Sequence, residues 1–306
     1  LPKLTFADGR RFADLLNDVY PGVKVSDVSD AELETAIKEV LSEKHYEDVA
    51  SQVEKVLQLH IACSQRIGII IVGPSGSGKS SLWQILEGAY KKLGRPVKRH
   101  VMNPKAIHRQ QLLGHMDMDT REWFDGVLTD AARQVVKESM EQHSWIICDG
   151  DVDPEWIESL NSVLDDNRLL TLPSGERIQF GSNVNFIFEC DDLKFASPAT
   201  VSRTAMLFLS EEAVDPSLIV KGWLAKQSEE LRPSLSGWCD EYFFKALDRA
   251  LELPNATSTT KVGTIKNALS HTVGADSKAA FVRGIARGFA ANIEQAARDE
   301  FLHDLT

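Results

Sequence analysis

A glycine-rich octapeptide is the segment of this 306-residue sequence most suited to chemistry. Its residues match the pattern G-x-x-x-x-G-K-[ST], with one more serine after them: Gly73, Pro74, Ser75, Gly76, Ser77, Gly78, Lys79, Ser80 and Ser81. Glycines let backbone N–H groups curl around phosphate oxygens, because no Cβ stands in the way. We therefore predict a nucleotide site in which Lys79 reaches the β- and γ-phosphates and Ser80 ligates Mg²⁺.

A second candidate is the acid that ends the short apolar run Trp145–Asp149. A phosphate loop of this kind needs an acid at the end of a neighbouring strand to hold the metal, and Asp149 supplies it. In most hydrolysing proteins with this pattern, a glutamate comes next and polarises the attacking water. Gly150 stands at that place and has no side chain, so the sequence predicts no catalytic residue there.

Two further acids follow, Asp151 and Asp153. Their alternation is similar to a calcium loop, but Pro154 stands where that loop needs glycine and Leu160 where it needs a bidentate glutamate. We interpret both as turn and capping acids before a helix over 154–164. An alternative stays open, in which Asp151 or Glu155 replaces the missing glutamate as a base.

The elements that must position these residues are short β-branched runs separated by helical stretches. The runs cover 67–72, 97–102, 145–148, 184–188 and 205–209. Strands that alternate with helices indicate βαβ units and a parallel sheet, hence an α/β fold with the phosphate loop after its first strand.

Strand patterns stop near residue 215, and helical patterns cover the rest. They span 217–230, 239–252, 260–272, 277–290 and 292–304. We predict two domains, 1–214 with an α/β fold preceded by helices, and 215–306 built of helices alone.

Composition excludes several classes of protein. The net charge of −11 argues against a general nucleic-acid binder, which normally shows a basic face. The longest apolar run, Ile67–Val72, is far shorter than the ~20 residues of a membrane helix. No leader segment opens the sequence, and the four cysteines are widely spaced. We expect a reduced, intracellular protein with no nucleic-acid or membrane partner.

Five longer motifs carry a family resemblance. They are Met102–Ala106, Asp119–Trp123, Asp149–Trp156, Leu160–Asn167 and Pro198–Arg203, and together they resemble the second AAA+ module of dynein heavy chains. Within that family, 120–126 and 145–180 are most similar to cytoplasmic dynein 2, the class of intraflagellar transport. The resemblance runs from about Leu4 to Ile293.

The resemblance implies an AAA+ P-loop NTPase: a large α/β domain with a five-stranded parallel sheet, followed by a C-terminal helical lid. It implies one sector of a six-module ring in a microtubule motor, located in the cytoplasm, the cytoskeleton and the cilium or flagellum. Neighbouring AAA+ modules and the dynein linker are the implied partners, and microtubules are contacted only through the intact motor.

Two hairpin insertions that contact the linker are also implied, at Leu112–Asp125 and Leu169–Gln179. The residues Pro173-Ser-Gly-Glu176 predict the turn of the second hairpin independently of the resemblance.

An arginine and three lid residues complete the candidates. From the residues alone, Arg203 is equally well a surface arginine paired with an acid or a phosphate-binding group. The resemblance implies that it is an arginine finger for the nucleotide of the preceding module. The polar sensor, usually asparagine, is missing from the end of the fourth strand, Phe186–Asp191. Lys261, Arg283 and Arg287 are the cations from which a lid sensor would come, and the sequence does not choose among them.

Three functions follow in order of preference. The first is a regulatory module that binds Mg²⁺ with ATP or ADP, hydrolyses it poorly or not at all, and supplies Arg203 to its neighbour. The second is a hydrolysing AAA+ ATPase. The third is a small-molecule kinase, since the same octapeptide opens nucleotide kinases, although such an enzyme would need an acceptor pocket and an arginine-bearing lid soon after the loop.

Overall fold

The structure is a computed structural model that describes residues 6–21, 30–46, 50–210 and 215–304. The chain forms two compact units. The first comprises Leu1–Val40, Asp48–Pro74 and Gly78–Ser210, and the second Leu41–Glu47, Ser75–Ser77 and Glu211–Thr306. The predicted domain boundary at 214/215 adjoins 211–214, which lie outside the described residues, so the division into domains stays a prediction.

Nine strands and nine helices lie before residue 211 in the described ranges. The strands are β1 Gly68–Val72, β2 Val97–Met102, β3 Gly114–Met116, β4 Trp123–Asp125, β5 His143–Asp149, β6 Leu169–Thr171, β7 Arg177–Gln179, β8 Val184–Cys190 and β9 Ala205–Phe208. The helices are α1 Phe6–Val19, α2 Ala31–Glu43, α3 Ala50–Gln65, α4 Lys79–Lys92, α5 Arg109–Leu113, α6 Val127–Val136, α7 Pro154–Ile157, α8 Asn161–Leu164 and α9 Pro198–Arg203. Single 3₁₀ turns cover Pro104–Ala106 and Glu158–Leu160.

A five-stranded parallel sheet organises the first unit, in the order β2-β5-β8-β1-β9. This confirms the predicted α/β fold and all five strands. The two strands beside each other at the centre, β8 and β1, are buried at every residue, as expected where both faces of a sheet are covered. Apolar side chains of the sheet pack with those of α5, α6, α7 and α8 in one core.

Two strands are longer than predicted. Strand β5 begins at His143 and ends at Asp149, and β8 continues through Glu189 to Cys190. Polar residues at these ends interrupt the apolar runs from which the strands were predicted. The added residues continue the parallel ladders, since His143 pairs with Val97, Asp149 with Glu189 and Cys190 with Val72.

Antiparallel strand pairs lie at both positions where the resemblance implies hairpins. Strand β3 pairs with β4, and β6 pairs with β7. The second turn has Gly175 at a φ of +85°, a backbone conformation that favours glycine. At the base of the first, Gly114 has a φ of +99°, and a Cβ there would lie 2.4 Å from the Trp123 ring.

The second unit contains only helices among its described elements. These are α10 Pro216–Ala225, α11 Arg232–Trp238, α12 Phe244–Glu252, α13 Lys261–Ser270, α14 Lys278–Ala290 and α15 Gln295–Asp304, with a π-helical turn over Cys239–Phe243. Four fully buried phenylalanines anchor its core: Phe243, Phe281, Phe289 and Phe301. Nowhere in the described ranges of the chain is a helix long and apolar enough to cross a membrane.

The first helix of this unit ends earlier than the predicted 217–230. The guanidinium of Arg232 donates to the carbonyl oxygens of Leu224, Ala225 and Gln227, and so occupies acceptors at the end of α10. A new helix then begins at Arg232, whose successor Pro233 has the φ that a first helical turn requires.

Candidate functional site

The carboxyl ends of four neighbouring strands bring the predicted site residues together. Strands β2, β5, β8 and β1 run parallel, so the residues that follow them share one edge of the sheet. Asn103 follows β2, Gly150 follows β5, and Gly73 follows β1. Glu189 lies opposite both Asp149 of β5 and Ile71 of β1. Ligands of open α/β sheets commonly bind at such an edge.

The glycine-rich loop leads into α4 with the backbone that a phosphate site requires. Gly76 and Gly78 have φ values of +85° and +97°, both in the region that favours glycine. Gly78 precedes α4 and provides no side-chain cap, while Lys79, Ser80 and Ser81 form the first turn of the helix. Uncapped N–H groups at the start of a helix attract anions.

The Lys79 ammonium group is held inside this loop. It donates to the carbonyl oxygens of Gly73 at 2.5 Å and Pro74 at 3.3 Å, and to Asp191 Oδ1 at 2.7 Å. The lysine side chain is only 11% exposed, whereas that of Asp191 is 62% exposed. The lysine that the sequence predicts to bind phosphate is therefore paired with a carboxylate in this structure.

Glu189 contacts the predicted site residue Ser80, and none of the sequence motifs indicates it. It is 2% exposed, and both of its carboxylate oxygens accept a hydrogen bond. Oε2 accepts from the Ser80 hydroxyl at 2.6 Å, and Oε1 accepts from the Trp83 indole N–H at 2.5 Å. Burial raises the pKa of Glu189 above its ordinary value, and these two hydrogen bonds act against that shift.

Asp149 has a different environment from Glu189, the residue opposite it in the sheet. It ends β5 and is exposed, and within the described ranges its carboxylate forms no hydrogen bond or ion pair. The Ser80 hydroxyl and the Asp149 carboxylate are hard oxygen donors, which Mg²⁺ prefers. No group of three or more potential metal-binding His, Cys, Asp or Glu side chains occurs in the described residues. The donor set fits a magnesium ion held by one or two protein oxygens together with phosphates.

Gly150 has a backbone conformation that few other residues can adopt. Its φ is +150°, and a Cβ built on it would lie 3.1 Å from Asn103 Oδ1. Its N–H donates to the carbonyl oxygen of Glu189 at 2.9 Å. The residue after Asp149 thus lacks a side chain and is held in a place where one would be strained.

Of the three acids that follow Gly150, Asp151 and Asp153 contact other groups of the chain. Asp153 accepts from the N–H of Glu155 at 3.0 Å and caps α7, which confirms its interpretation as a capping acid. Asp151 lies 3.4 Å from the Lys105 ammonium group, which also lies 3.4 Å from Asp153. Glu155 is exposed in the first turn of α7.

Arg203, at the end of α9, is paired within the chain. Its Nε donates to Asp165 Oδ1 at 2.5 Å, and its Nη1 donates to the carbonyl oxygen of Ala199 at 2.9 Å. Both partners of the ion pair are partly exposed, at 33% for Arg203 and 39% for Asp165. This is the pairing with an acid that the residues alone allowed, and the arginine-finger role stays a prediction.

The three lid candidates lie in the second unit. Lys261 is the first residue of α13, whose N-terminus is capped by the Thr260 hydroxyl, which accepts from the N–H of Gly263 at 3.1 Å. Arg283 and Arg287 are exposed one turn apart on α14. Which of the three acts as a sensor stays open.

Comparisons with known proteins match nearly the whole chain. Residues 68–204 match the family described as AAA domain (dynein-related subfamily). Residues 215–306 match the family described as cytoplasmic dynein 2 heavy chain 1, AAA+ ATPase domain. Residues 1–80 match the family described as hydrolytic ATP binding site of dynein motor region, a match that ends at Ser80.

Three curated relatives show the same similarity in full-length proteins. Cytoplasmic dynein 2 heavy chain 1 of Chlamydomonas reinhardtii is 56% identical over all of this chain, and that of Homo sapiens is 52% identical over all of it. The cytoplasmic dynein heavy chain of Dictyostelium discoideum is 43% identical over 75% of the chain. The chain spans 7% of the length of the first two relatives and 5% of the third.

Proposed function

Because the chain belongs to the dynein heavy-chain family and carries one of its AAA+ ATP-binding modules, we propose that it is a regulatory nucleotide site. It binds Mg²⁺ with ATP or ADP and hydrolyses ATP slowly or not at all. We assign it to the second module of the ring. The observation that carries this proposal is Gly150, which directly follows the metal-binding acid and has no side chain to orient water.

Binding needs only groups that the first unit already provides. Lys79 and the N–H groups at the start of α4 would hold the phosphates, and Ser80 and Asp149 would be the protein ligands of Mg²⁺. The metal would supply positive charge next to the phosphates.

Hydrolysis also needs a group that aligns a water with the γ-phosphate, and general-base help of this kind is typically worth about 10²–10⁴-fold. The acids near the edge are poor substitutes. Asp151 is paired with Lys105, and Glu189 already accepts a hydrogen bond on each oxygen. A displacement of ~1 Å in such a group can cost about 10²-fold.

The hydrolysing alternative is supported by the match of residues 1–80 to the family described as hydrolytic ATP binding site of dynein motor region. That match stops at Ser80 and so does not include Asp149 or Gly150, which decide the question. The kinase alternative is weakened by the dynein-related match over 68–204 and by the purely helical described elements after residue 215.

The wider role rests on the same family membership. Arg203 would leave Asp165 and reach the nucleotide of the preceding module, and the β3–β4 and β6–β7 hairpins would contact the linker. Neighbouring modules would complete the ring, and microtubules would be bound only by the intact motor. Similarity to cytoplasmic dynein 2 heavy chains supports a place in the cytoplasm and cilium, in intraflagellar transport.

The test combines equilibrium binding with single-turnover cleavage. Titration of the chain with fluorescent ATP and ADP analogues should give saturable, Mg²⁺-dependent binding. Single-turnover ATP cleavage, with the arginine-supplying next module present, should stay slow and should not change in the Asp151→Asn or Glu155→Gln variant. Rapid cleavage that is lost in either variant would establish the hydrolysing alternative instead.

A further inference from the structure

The proposed function uses Lys79, Ser80 and Asp149 but gives no role to the buried acid beside them. Glu189 lies in the central strand β8, is 2% exposed, and carries a group that is costly to bury. It has two hydrogen-bond donors, Ser80 and Trp83, and lies opposite Asp149 in the ladder. Its place between the loop and the metal-binding acid indicates a role in the site.

The role that we infer for Glu189 follows from its hydrogen bond with the Ser80 hydroxyl. A serine hydroxyl has one proton and two lone pairs, so it ligates a cation well only when its proton points to another acceptor. Ser80 Oγ donates its proton to Glu189 Oε2 over 2.6 Å, which leaves the lone pairs free. The Trp83 N–H holds the second carboxylate oxygen at 2.5 Å and thereby fixes the direction of the first.

We propose that Glu189 is a positioning residue for the metal, which orients the Ser80 hydroxyl so that its oxygen faces Mg²⁺. Two neighbouring carboxylates thus divide the work. Asp149 is exposed and would bind the metal directly, whereas Glu189 is buried and accepts the hydrogen bond of the serine that would bind it. The inference depends on the proposed function, because it requires the site to hold Mg²⁺ with a nucleotide.

The competing explanation is that Glu189 only anchors α4 on the sheet through Trp83. The two explanations differ in what the Ser80 contact does, so the test measures the benefit of Mg²⁺. We define this benefit as the Kd for ATP in EDTA divided by the Kd in saturating Mg²⁺. A purely structural residue would alter both constants together and leave their ratio unchanged.

The Glu189→Gln variant keeps the volume and the acceptor for Trp83, but places an amide N–H₂ against Ser80. Ser80 must then turn a lone pair towards the amide, and its proton loses its acceptor and competes with the metal for the remaining directions around the oxygen. Loss of a hydrogen-bond partner behind a metal ligand typically costs about 10–100-fold in metal affinity. We expect the Mg²⁺ benefit to fall by a factor in that range, with the affinity in EDTA retained.

A double-mutant cycle shows whether the effect passes through Ser80. In the Ser80→Ala background, Glu189→Gln should change the Mg²⁺ benefit no further, because the group that it orients is gone. Trp83→Phe removes the second hydrogen bond and keeps an aromatic ring, so it should lower the benefit in the same direction by a smaller factor. It also serves as the measurement if Glu189→Gln fails to fold.

The outcomes distinguish failure of the proposed nucleotide-binding function from failure of the positioning role of Glu189. If the unsubstituted chain does not bind nucleotide, the proposed function is wrong and this inference is wrong with it. If the chain shows a Mg²⁺ benefit that Glu189→Gln and Trp83→Phe leave unchanged, only the positioning role is wrong. An equal effect of Glu189→Gln with and without the Ser80 hydroxyl would also refute it.

Discussion

Two parts of one sheet edge differ in how completely the chain builds them. The phosphate side, formed by Gly73, Lys79, Ser80 and Glu189 around the ends of β1 and β8, has each of its three polar side chains hydrogen-bonded. The water side, formed by Gly150 and Asp151 after β5, has no side chain at its first position and an acid paired with Lys105 at its second. In the proposed function, binding and hydrolysis therefore depend on separate groups of residues. A module can keep the first while the second is absent.

A nucleotide that is bound but not cleaved would stabilise such a module. A ligand that binds only the folded state adds to the stability of that state, by an amount that grows with its concentration relative to Kd. A site that binds without cleaving keeps this contribution through successive cycles of the motor. We therefore expect the chain to act as a stable sector of the ring, and its own site to supply no energy to the motor.

The largest effect is expected from Arg203, the proposed arginine finger for the preceding module. In the intact ring, Arg203→Ala should slow ATP cleavage at the preceding module by about 10³-fold or more, since arginine fingers contribute that much in related phosphoryl transfer. Nucleotide affinity at this module should not change. Steady-state ATPase rates of the ring and a binding titration of this site measure the two quantities.

Asp165→Asn provides the matched control for that experiment. It removes the ion-pair partner of Arg203 but keeps the arginine, so the cleavage rate should be retained. A ring that keeps its full rate without Arg203 would show that the Asp165 pair is the whole function of this arginine.

The phosphate side is tested by Lys79→Ala, which removes the cation enclosed by the loop. Hydrogen bonds to charged groups are worth about 1.5–3 kcal/mol, so ATP affinity should fall by about 10–100-fold. Lys91→Ala is the matched control, because Lys91 is an exposed lysine in the last turn of the same helix. Equal affinities for both variants, measured with fluorescent ATP on folded protein, would place the nucleotide elsewhere.

The water side is tested at Gly150. Both Gly150→Ala and Gly150→Glu should lower the free energy of unfolding by about 1–3 kcal/mol, because a side chain at a φ of +150° is strained and its Cβ meets Asn103. We expect Gly150→Glu to leave single-turnover cleavage as slow as Gly150→Ala, since the strained backbone misplaces the carboxylate. Denaturant unfolding and rapid-quench measurements check the two parts.

The opposite result at Gly150 would show that the water side lacks only a side chain. Fast cleavage by Gly150→Glu, with Gly150→Ala still slow, would mean that the backbone adapts and that only a side chain was missing. The alanine variant separates the effect of strain from that of the carboxylate.

The sequence predicted the phosphate side through local spacing and missed what depends on distant contacts. The loop motif and the β-branched runs lie within short windows, so they indicate the strands, Lys79, Ser80 and Asp149 directly. The partners of Glu189 lie 106 and 109 residues away, and Asp191 is 112 residues from Lys79, so no spacing pattern could pair them. One signal was available: an acid in a continuous buried strand requires a partner.

The backbone conformation at Gly150 and at the end of α10 also could not be predicted from the sequence. The motif showed that a glutamate is missing after Asp149, but only the structure shows a φ of +150° at Gly150 and the nearby Asn103 side chain. Likewise, the early end of α10 depends on Arg232 and three carbonyl oxygens of the preceding turn. Helical periodicity alone does not reveal such a contact.

The smallest effect is expected from Asp191, which lies on the phosphate side and competes with the ligand. Its carboxylate holds the Lys79 ammonium group at 2.7 Å, so a phosphate must displace it before the lysine can bind. Asp191→Asn should therefore raise ATP affinity. Because Asp191 is 62% exposed, the pair is worth at most about 1 kcal/mol, and the gain in ATP affinity should not exceed about fivefold.

Asp192→Asn is the matched control for Asp191→Asn. It removes the same charge from the next residue, whose carboxylate pairs with Lys194 at 2.7 Å and not with Lys79. Calorimetric titration of both variants at two salt concentrations separates the causes. A gain confined to Asp191→Asn supports direct competition. An equal gain in both variants that disappears at high salt would show general charge repulsion, and the Asp191 contact would then have no special part in binding.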